Sequence, residues 1–345
     1  MPNIMLTYRC NLNCPYCFAN EFVNKKNTDI TLEAFKTAID FLTKDGPSYV
    51  GLIGGEPTIH HEFRNILQII IKERKIQECT LYTNGLELSP FLDEITTPKF
   101  RLLVNCNSPE TIGEARFQKL RDNLDKLFFE HYMGDRINLG INYYSDDLDF
   151  GYIIELLKRY DLHRVRLSLT VPDFDRCGRI SSLKYFRQRK DGLLRLLNVF
   201  DENAILPYYD CNKPPFCLWN EEERNWVTAY VKKYKVSESN LVGNQSICYP
   251  VIDILPTLEA VRCFGMSSFE KVRLQDFASV TDLAAYFLNR IDSEAYRIAD
   301  SDECCDCYHR KTRHCTAGCI GFKTDAIKYA NAYTDQMRSC SFDPT

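Results

Sequence analysis

The sequence has no basic excess: 43 lysines and arginines stand against 47 aspartates and glutamates, for a formal net charge of −4. Without an overall positive field to draw a phosphate backbone, a nucleic-acid substrate is disfavoured. There is also no apolar run of about 18 residues, so no membrane-spanning helix is expected. A secretory n-region and apolar h-region are missing too, because position 10 is already a cysteine in the polar run CNLNCPYC. Internal repeats and low-complexity tracts are likewise lacking. These absences point to a cytoplasmic chain with neither membrane nor nucleic acid as partner.

What the sequence has in abundance is cysteine, sixteen in 345 residues. Reducing compartments keep structural thiols reduced, so so many cysteines there more often bind metal than form disulfides. Forty-five per cent hydrophobic residues suffice to bury a core.

Along the first half, short apolar runs alternate with amphipathic stretches. IMLTY (4–8) precedes LEAFKTAIDFL (32–42), and YVGLIG (49–54) precedes FRNILQIIIKERK (63–75). CTLYTNG (79–85), RLLVNCN (101–107), a helical stretch near 114–130, INLGINYY (137–144), YIIELLKRY (152–160) and VRLSLTV (165–171) continue the series. Such alternation predicts parallel strands joined by crossover helices, with six strands in view. Beyond Pro172 the pattern degrades, and the proline-bearing ILPYYDCNKPPFCLW (205–219) reads as a connection. Ten of the sixteen cysteines lie from Cys211 onward. The division expected is an α/β barrel over 1–190, a connecting segment over 191–235 and a cysteine-rich domain over 236–345.

Cys10-x3-Cys14-x2-Cys17 directly follows the first strand, where α/β barrels place their chemistry. Three thiolates leave one iron of a four-iron four-sulfur cubane without a protein ligand, and an open position distinguishes a reactive centre from a structural one. A zinc or redox cysteine cluster is the alternative. Gly54-Gly55-Glu56-Pro57 closes the second strand, where glycines permit close backbone approach to a ligand. An ordinary strand-ending turn would read the same way in isolation.

Together these two motifs resemble the radical S-adenosylmethionine (SAM) superfamily, whose hallmark is this CxxxCxxC after the first strand. The resemblance implies a partial (β/α)6 TIM barrel, a four-iron four-sulfur cluster on Cys10, Cys14 and Cys17, and reductive cleavage of SAM to a 5′-deoxyadenosyl radical that abstracts hydrogen from substrate. It places Tyr16 beside the adenine of SAM and Gly54, Gly55, Glu56 and Pro57 at its aminoacyl end. Asn105 and Arg116 are carried over as contacts to the SAM carboxylate or ribose. Asn84 and Asn142 point to the same barrel mouth, though each of these four reads equally as a turn or surface residue. A reductant such as flavodoxin or ferredoxin is implied as partner.

The C-terminal order Cys248, Cys263, Cys304-x2-Cys307-x7-Cys315-x3-Cys319, Cys340 resembles the SPASM extension of peptide- and protein-modifying members, which carries two auxiliary four-iron four-sulfur clusters. A structural zinc site is the alternative reading of these spacings. The resemblance assigns Cys248, Cys263 and Cys319 to the first cluster, and Cys304, Cys307, Cys315 and Cys340 to the second. The sequence departs from that pattern at three points. Seven residues separate Cys307 from Cys315 where five are usual, Leu258 stands where a glycine is expected, and Val242 occupies the place of a fourth ligand to the first cluster. Either Cys211 or Cys217 fills that place, or the iron there stays open to a substrate thiolate. Cys305 is an alternative to Cys304, while Cys79, Cys106 and Cys177 read as small buried hydrophobes.

His60 and His61 could line the site or simply lead into a helix, and His309 and His314 sit among the C-terminal cysteines. The aromatic stretch FDENAILPYYD is a candidate groove or core. The function this resemblance implies is modification of a ribosomally made peptide or a protein side chain, by thioether or carbon–carbon crosslinking, epimerisation or oxidation. A separate leader-recognition protein is a candidate partner, since the sequence starts almost at the first strand. In sulfatase-maturing relatives a carboxylate follows one auxiliary cysteine; here Cys263 is followed by Phe264 and Gly265, which disfavours that option. The competing readings are a radical SAM enzyme of a small molecule such as a sugar or cofactor precursor, and a non-catalytic metal scaffold.

Overall fold

A computed structural model describes residues 1–25, 28–171, 180–233 and 247–340, without the side chains of 231 and 333–340. Cys177, Pro172, Val242 and the Cys340 side chain lie outside that description.

Seven parallel strands run in chain order across one sheet: β1 (Asn3–Met5), β2 (Ser48–Ile53), β3 (Ile76–Thr83), β4 (Phe100–Asn105), β5 (Ile137–Tyr143), β6 (Arg164–Leu169) and β7 (Leu206–Tyr209). Helices Leu32–Leu42, Phe63–Lys72, Glu114–Asp125, Gly151–Arg159 and Ser182–Glu202 cross over between them. The apolar spacing explains both kinds of element. Phe63, Ile66, Leu67 and Ile70 recur at helical period and are buried together, while Val50 and Leu52 alternate on β2 toward the helices. Thr31 starts the first helix by accepting a hydrogen bond from the amide of Ala34 at 3.1 Å.

The fold is thus the expected open α/β barrel, with one strand more than the hydrophobic pattern showed. β7 falls inside the proline-bearing stretch that reads as a connection. It is only four residues long, and Pro207 within it masks its β character, which an edge position tolerates.

Three further strands extend the sheet on its other side. β8 (Asp253–Ile254) runs parallel to β1, and β9 (Glu259–Val261) and β10 (Val272–Arg273) follow antiparallel. The sheet order is β10-β9-β8-β1-β2-β3-β4-β5-β6-β7. Leu258, in the turn between β8 and β9, has φ +62°, a left-handed position that favours glycine. A second apolar cluster of Met5, Tyr8, Phe22, Ile53, Val261 and Phe264 seats this C-terminal unit on the loop after β1. No helix among the described residues is long and apolar enough to cross a membrane.

Candidate functional site

All seven parallel strands end on one face. The loop after β1 carries Cys10, Cys14 and Cys17, each partly exposed. Backbone contacts lock this loop to the end of β2: the amides of Gly55 and Glu56 donate to the carbonyls of Thr7 and Arg9, each at 2.8 Å. The approach is close enough to dictate glycine. A Cβ on Gly55 would fall 2.1 Å from the Arg9 carbonyl oxygen, and one on Gly54 would fall 2.9 Å from that of Thr7.

Glu56 points inward and is buried. Its carboxylate accepts from the Thr58 amide and hydroxyl, the Thr83 hydroxyl at 2.8 Å and the Asn84 amide at 2.7 Å. Burial pushes its carboxyl up, against those four donors. Glu56 therefore ties the end of β2 to the end of β3. Asn84 extends the tie to the cysteine loop, donating to Asn11 Oδ1 at 2.7 Å.

Asn24, in a left-handed conformation at φ +58°, braces the loop from the other side. Its side chain accepts from the Cys10 amide at 2.8 Å and donates to the Cys10 carbonyl at 3.2 Å. Cys14 lies 3.9 Å from Asn107 Oδ1, which also accepts from the Tyr16 hydroxyl. Tyr16 packs against Tyr144 at 5.0 Å between ring centroids, and with Asn107, Asn142 and Tyr152 these rings line a cleft beside the triad. Burial pushes the Cys10 thiol up to about 12, with Glu56, Cys14 and Cys17 adding to it, and burial likewise raises Cys14 and Cys17. A metal that binds here must displace those protons.

The structure thus brings Tyr16 and Gly54 to Pro57 around the triad. Asn105 and Asn142 accept from Arg166 Nη1 at 3.0 and 3.4 Å, and Arg166 also pairs with Asp210 at 2.6 Å. Arg116 is exposed on the helix Glu114–Asp125 and does not line the cleft. Arg166, Asn107 and Asn24 were not anticipated. A polar residue just past a strand's C-terminal end was the available signal for Asn107, whereas nothing local distinguishes Arg166 or Asn24.

His60 is structural. Nε2 donates to the Ile30 carbonyl at 2.9 Å and Nδ1 accepts from the Glu62 amide at 3.0 Å, which fixes one neutral tautomer. Asp29, His60 and His61 lie within 4.8 Å of one another, but both His60 nitrogens are already engaged. Cys79 and Cys106 are buried in the core.

Among the described residues, eight of the remaining cysteines form two groups. In the first, the Cys319 thiol is within hydrogen-bonding reach of Cys248 and Cys211, and Cys263 interacts electrostatically with both of the latter. Arg262 is fully buried among them. It pairs with Asp292 at 2.5 Å and donates to Cys248 Sγ at 3.3 Å and Cys263 Sγ at 3.6 Å. The Cys319 thiol and Arg262 pull Cys248 down to about 6, whereas burial pushes Cys263 up to about 12.

In the second group, Cys217, Cys304, Cys307 and Cys315 line one cavity together with Lys323 and Arg310. Arg310 braces the turn by donating to the carbonyls of Cys304 and Cys305, both at 2.7 Å. Cys305 is exposed, with its thiol toward the Ser301 carbonyl at 3.8 Å. His309 and His314 do not line the cavity. Phe264, after Cys263, packs against Phe18 and Phe22 rather than facing either group as a carboxylate would.

Residues 4–149 match the radical SAM superfamily. GTP 3′,8-cyclase of Clostridium perfringens is 28% identical over 162 residues, 45% of this chain and 49% of that protein. The molybdenum cofactor biosynthesis protein moc-5 of Caenorhabditis elegans is 32% identical over 130 residues, 36% of this chain and 21% of that one. The chain thus spans about half or less of these relatives' lengths. Among solved structures, native anSMEcpe with bound AdoMet and Cp18Cys peptide superposes with a TM-score of 0.61 at 14% identity, covering 99% of this chain and 98% of that one. Streptococcus suis SuiB bound to S-adenosylmethionine gives 0.59 at 15% identity, covering 92% and 72%. These two likenesses are of fold.

Proposed function

With a radical SAM domain over residues 4–149 as the premise, we propose that this chain is a radical SAM enzyme that modifies a peptide or protein side chain. The observation that carries the chemistry is the convergence, at one strand-end face, of three cysteine thiols, Tyr16 and a glycine pair that only a bare backbone could form. Three soft thiolates suit an iron–sulfur cluster with one iron left for a co-substrate. Cys10, Cys14 and Cys17 would hold that cluster, and the cleft beside Tyr16, Asn107 and Asn142 would take SAM. When bound, the pair supplies one-electron cleavage of SAM to a carbon radical. The protein's part is to fix the loop through Glu56, Asn84 and Asn24, and to cover it with the C-terminal unit through Phe264.

The two C-terminal cysteine groups suit auxiliary four-iron four-sulfur clusters, with a reductant such as a flavodoxin or ferredoxin as partner. Support for a peptide substrate is the near full-length likeness to a structure holding a bound peptide, joined by SuiB, which has been seen with its precursor peptide SuiA. A small-molecule substrate is the second reading. It is favoured by the GTP 3′,8-cyclase relatives, whose similarity covers under half of this chain.

The test is anaerobic reconstitution with iron and sulfide, followed by SAM and dithionite. The expected outcome is 5′-deoxyadenosine and methionine, abolished in the Cys10→Ala/Cys14→Ala/Cys17→Ala protein. A mass change in a short peptide encoded beside the gene, with GTP left intact, supports the substrate class. Conversion of GTP instead would overturn it.

A further inference from the structure

We infer that Cys211 and Cys217, from the segment after β7, each complete a different four-thiolate metal site: Cys211 with Cys248, Cys263 and Cys319, and Cys217 with Cys304, Cys307 and Cys315. That the metal is iron–sulfur rests on the function proposed above; the two ligand sets do not.

Cys211 follows the C-terminal end of β7, so the parallel sheet delivers it to the same face as the triad. The next residue secures it. Asn212 is buried at φ +51°, donates to the Leu169 carbonyl at 2.8 Å, and accepts from the Cys319 amide at 3.2 Å. One side chain thus fixes the backbone of two cysteines against each other, with the Cys319 thiol in reach of both Cys211 and Cys248. Gly318, at φ +93°, turns the chain into this contact; a Cβ there would meet Asn212 and Phe186. The turn Phe216–Leu218 then carries Cys217 to the other cavity, where it interacts with Cys315, Cys304 and Cys307.

Each group also holds a buried cation suited to the negative charge of four thiolates and a metal. Arg262 stands at the first, and at the second Lys323, whose ammonium donates to the Ala295 and Ile298 carbonyls at 3.0 and 2.9 Å. Each cation already has a carboxylate neighbour, Asp292 at Arg262 and Asp300 near Lys323, and its placement beside clustered thiols also suits the further negative charge of metal-bound thiolates. A four-thiolate set is a closed site. The first group therefore offers no position for a substrate thiolate, and both sites hang on one segment only seven residues long, 211–217.

The experiment uses the full chain carrying Cys10→Ala/Cys14→Ala/Cys17→Ala, so that only the C-terminal groups bind metal. Iron and sulfide are counted after anaerobic reconstitution, with Mössbauer and electron paramagnetic resonance spectra. About eight irons are expected from two cubanes. Cys211→Ala and Cys217→Ala should each remove about half, or convert one cluster to a spectroscopically distinct three-iron or site-differentiated form. The double variant should affect both, and Cys340→Ala neither. Unchanged counts and spectra in either single variant would overturn the assignment, as would loss of the second cluster on Cys340→Ala while Cys217→Ala leaves it intact. Titration of the same proteins with Co2+ alone reads thiolate ligation independently of iron chemistry. If the parent takes up no iron, the auxiliary-cluster reading fails while the Co2+ spectra still decide the ligand sets. In chains with an intact triad, retention of about eight irons by each single variant, and of about four by the double variant, shows that the barrel has folded.

Discussion

Arg262 is a fully buried cation that donates to the thiols of Cys248 and Cys263. Burial works against its charge, but Cys248, Asp292 and Cys263 outweigh that cost and hold it cationic. A fixed positive charge beside a metal–thiolate centre favours the more negative, reduced form. Arg262→Gln should therefore lower the reduction potential of one C-terminal cluster by about 60 mV or more, a tenfold shift in a one-electron equilibrium. Potentiometric titration of the triad-less protein checks this; an unchanged potential would mean that Arg262 only packs. His60 gives a pH prediction of known sign. Burial depresses its pKa below the 6.5 of the unfolded chain, so the unfolded state takes up the proton first. The stability it contributes is present above that pH and lost as pH falls through it. Denaturant titrations at pH 8 and pH 5.5 should show a smaller loss in His60→Gln than in the parent. Neither residue was legible as what it is. His60 next to GGEPT read equally as site or loop, and Arg262 beside Cys263 gave no sign that its partner, Asp292, lies 30 positions on.

At the scale of elements, the amphipathic helices and parallel strands were readable because period and burial agree along the first six strands. The seventh was not, since four residues with an internal proline carry too little pattern. The contact between the end of β2 and the cysteine loop yields a sharp test. Gly55→Ala puts a methyl group 2.1 Å from a backbone oxygen, so the loop must move. The expected outcome is loss of about four irons from the N-terminal site, with the C-terminal metals retained. Even loss from all sites would instead indicate general misfolding. The β8–β9 turn inverts a usual ranking. Leu258 sits at φ +62°, and a left-handed conformation costs an L-residue about 1–2 kcal/mol. Leu258→Gly relieves that strain and Leu258→Ala does not, so the glycine variant should be the more stable of the two by about 1 kcal/mol. Elsewhere in a strand or helix the alanine variant would win.

For the whole molecule, the sequence announced a radical SAM barrel with a cysteine-rich appendage, but not how the two are joined. Spacing along the chain reports which cysteines are neighbours in sequence. It says nothing about Cys211 meeting Cys319, which are brought together by β7 and Asn212. Metal at the C-terminal groups would therefore cross-link distant parts of one sheet. Chelation of the triad-less holoprotein should lower its melting temperature by about 5 °C or more, as expected for about 2–3 kcal/mol of linked binding energy. A thermal scan that is indifferent to the chelator would contradict this. The placement of β8 against β1 has a consequence for biosynthesis. Asn3 donates to Asp253 at 2.7 Å across 250 positions of chain. At about 5–20 residues per second of translation, β1 stays without that neighbour for roughly 12–50 s. Throughout that interval the first strand made presents an open edge to any other nascent chain. A ribosomal stall before codon 253 would prolong the exposure, and synonymous codons that speed this stretch should raise the yield of correctly assembled protein.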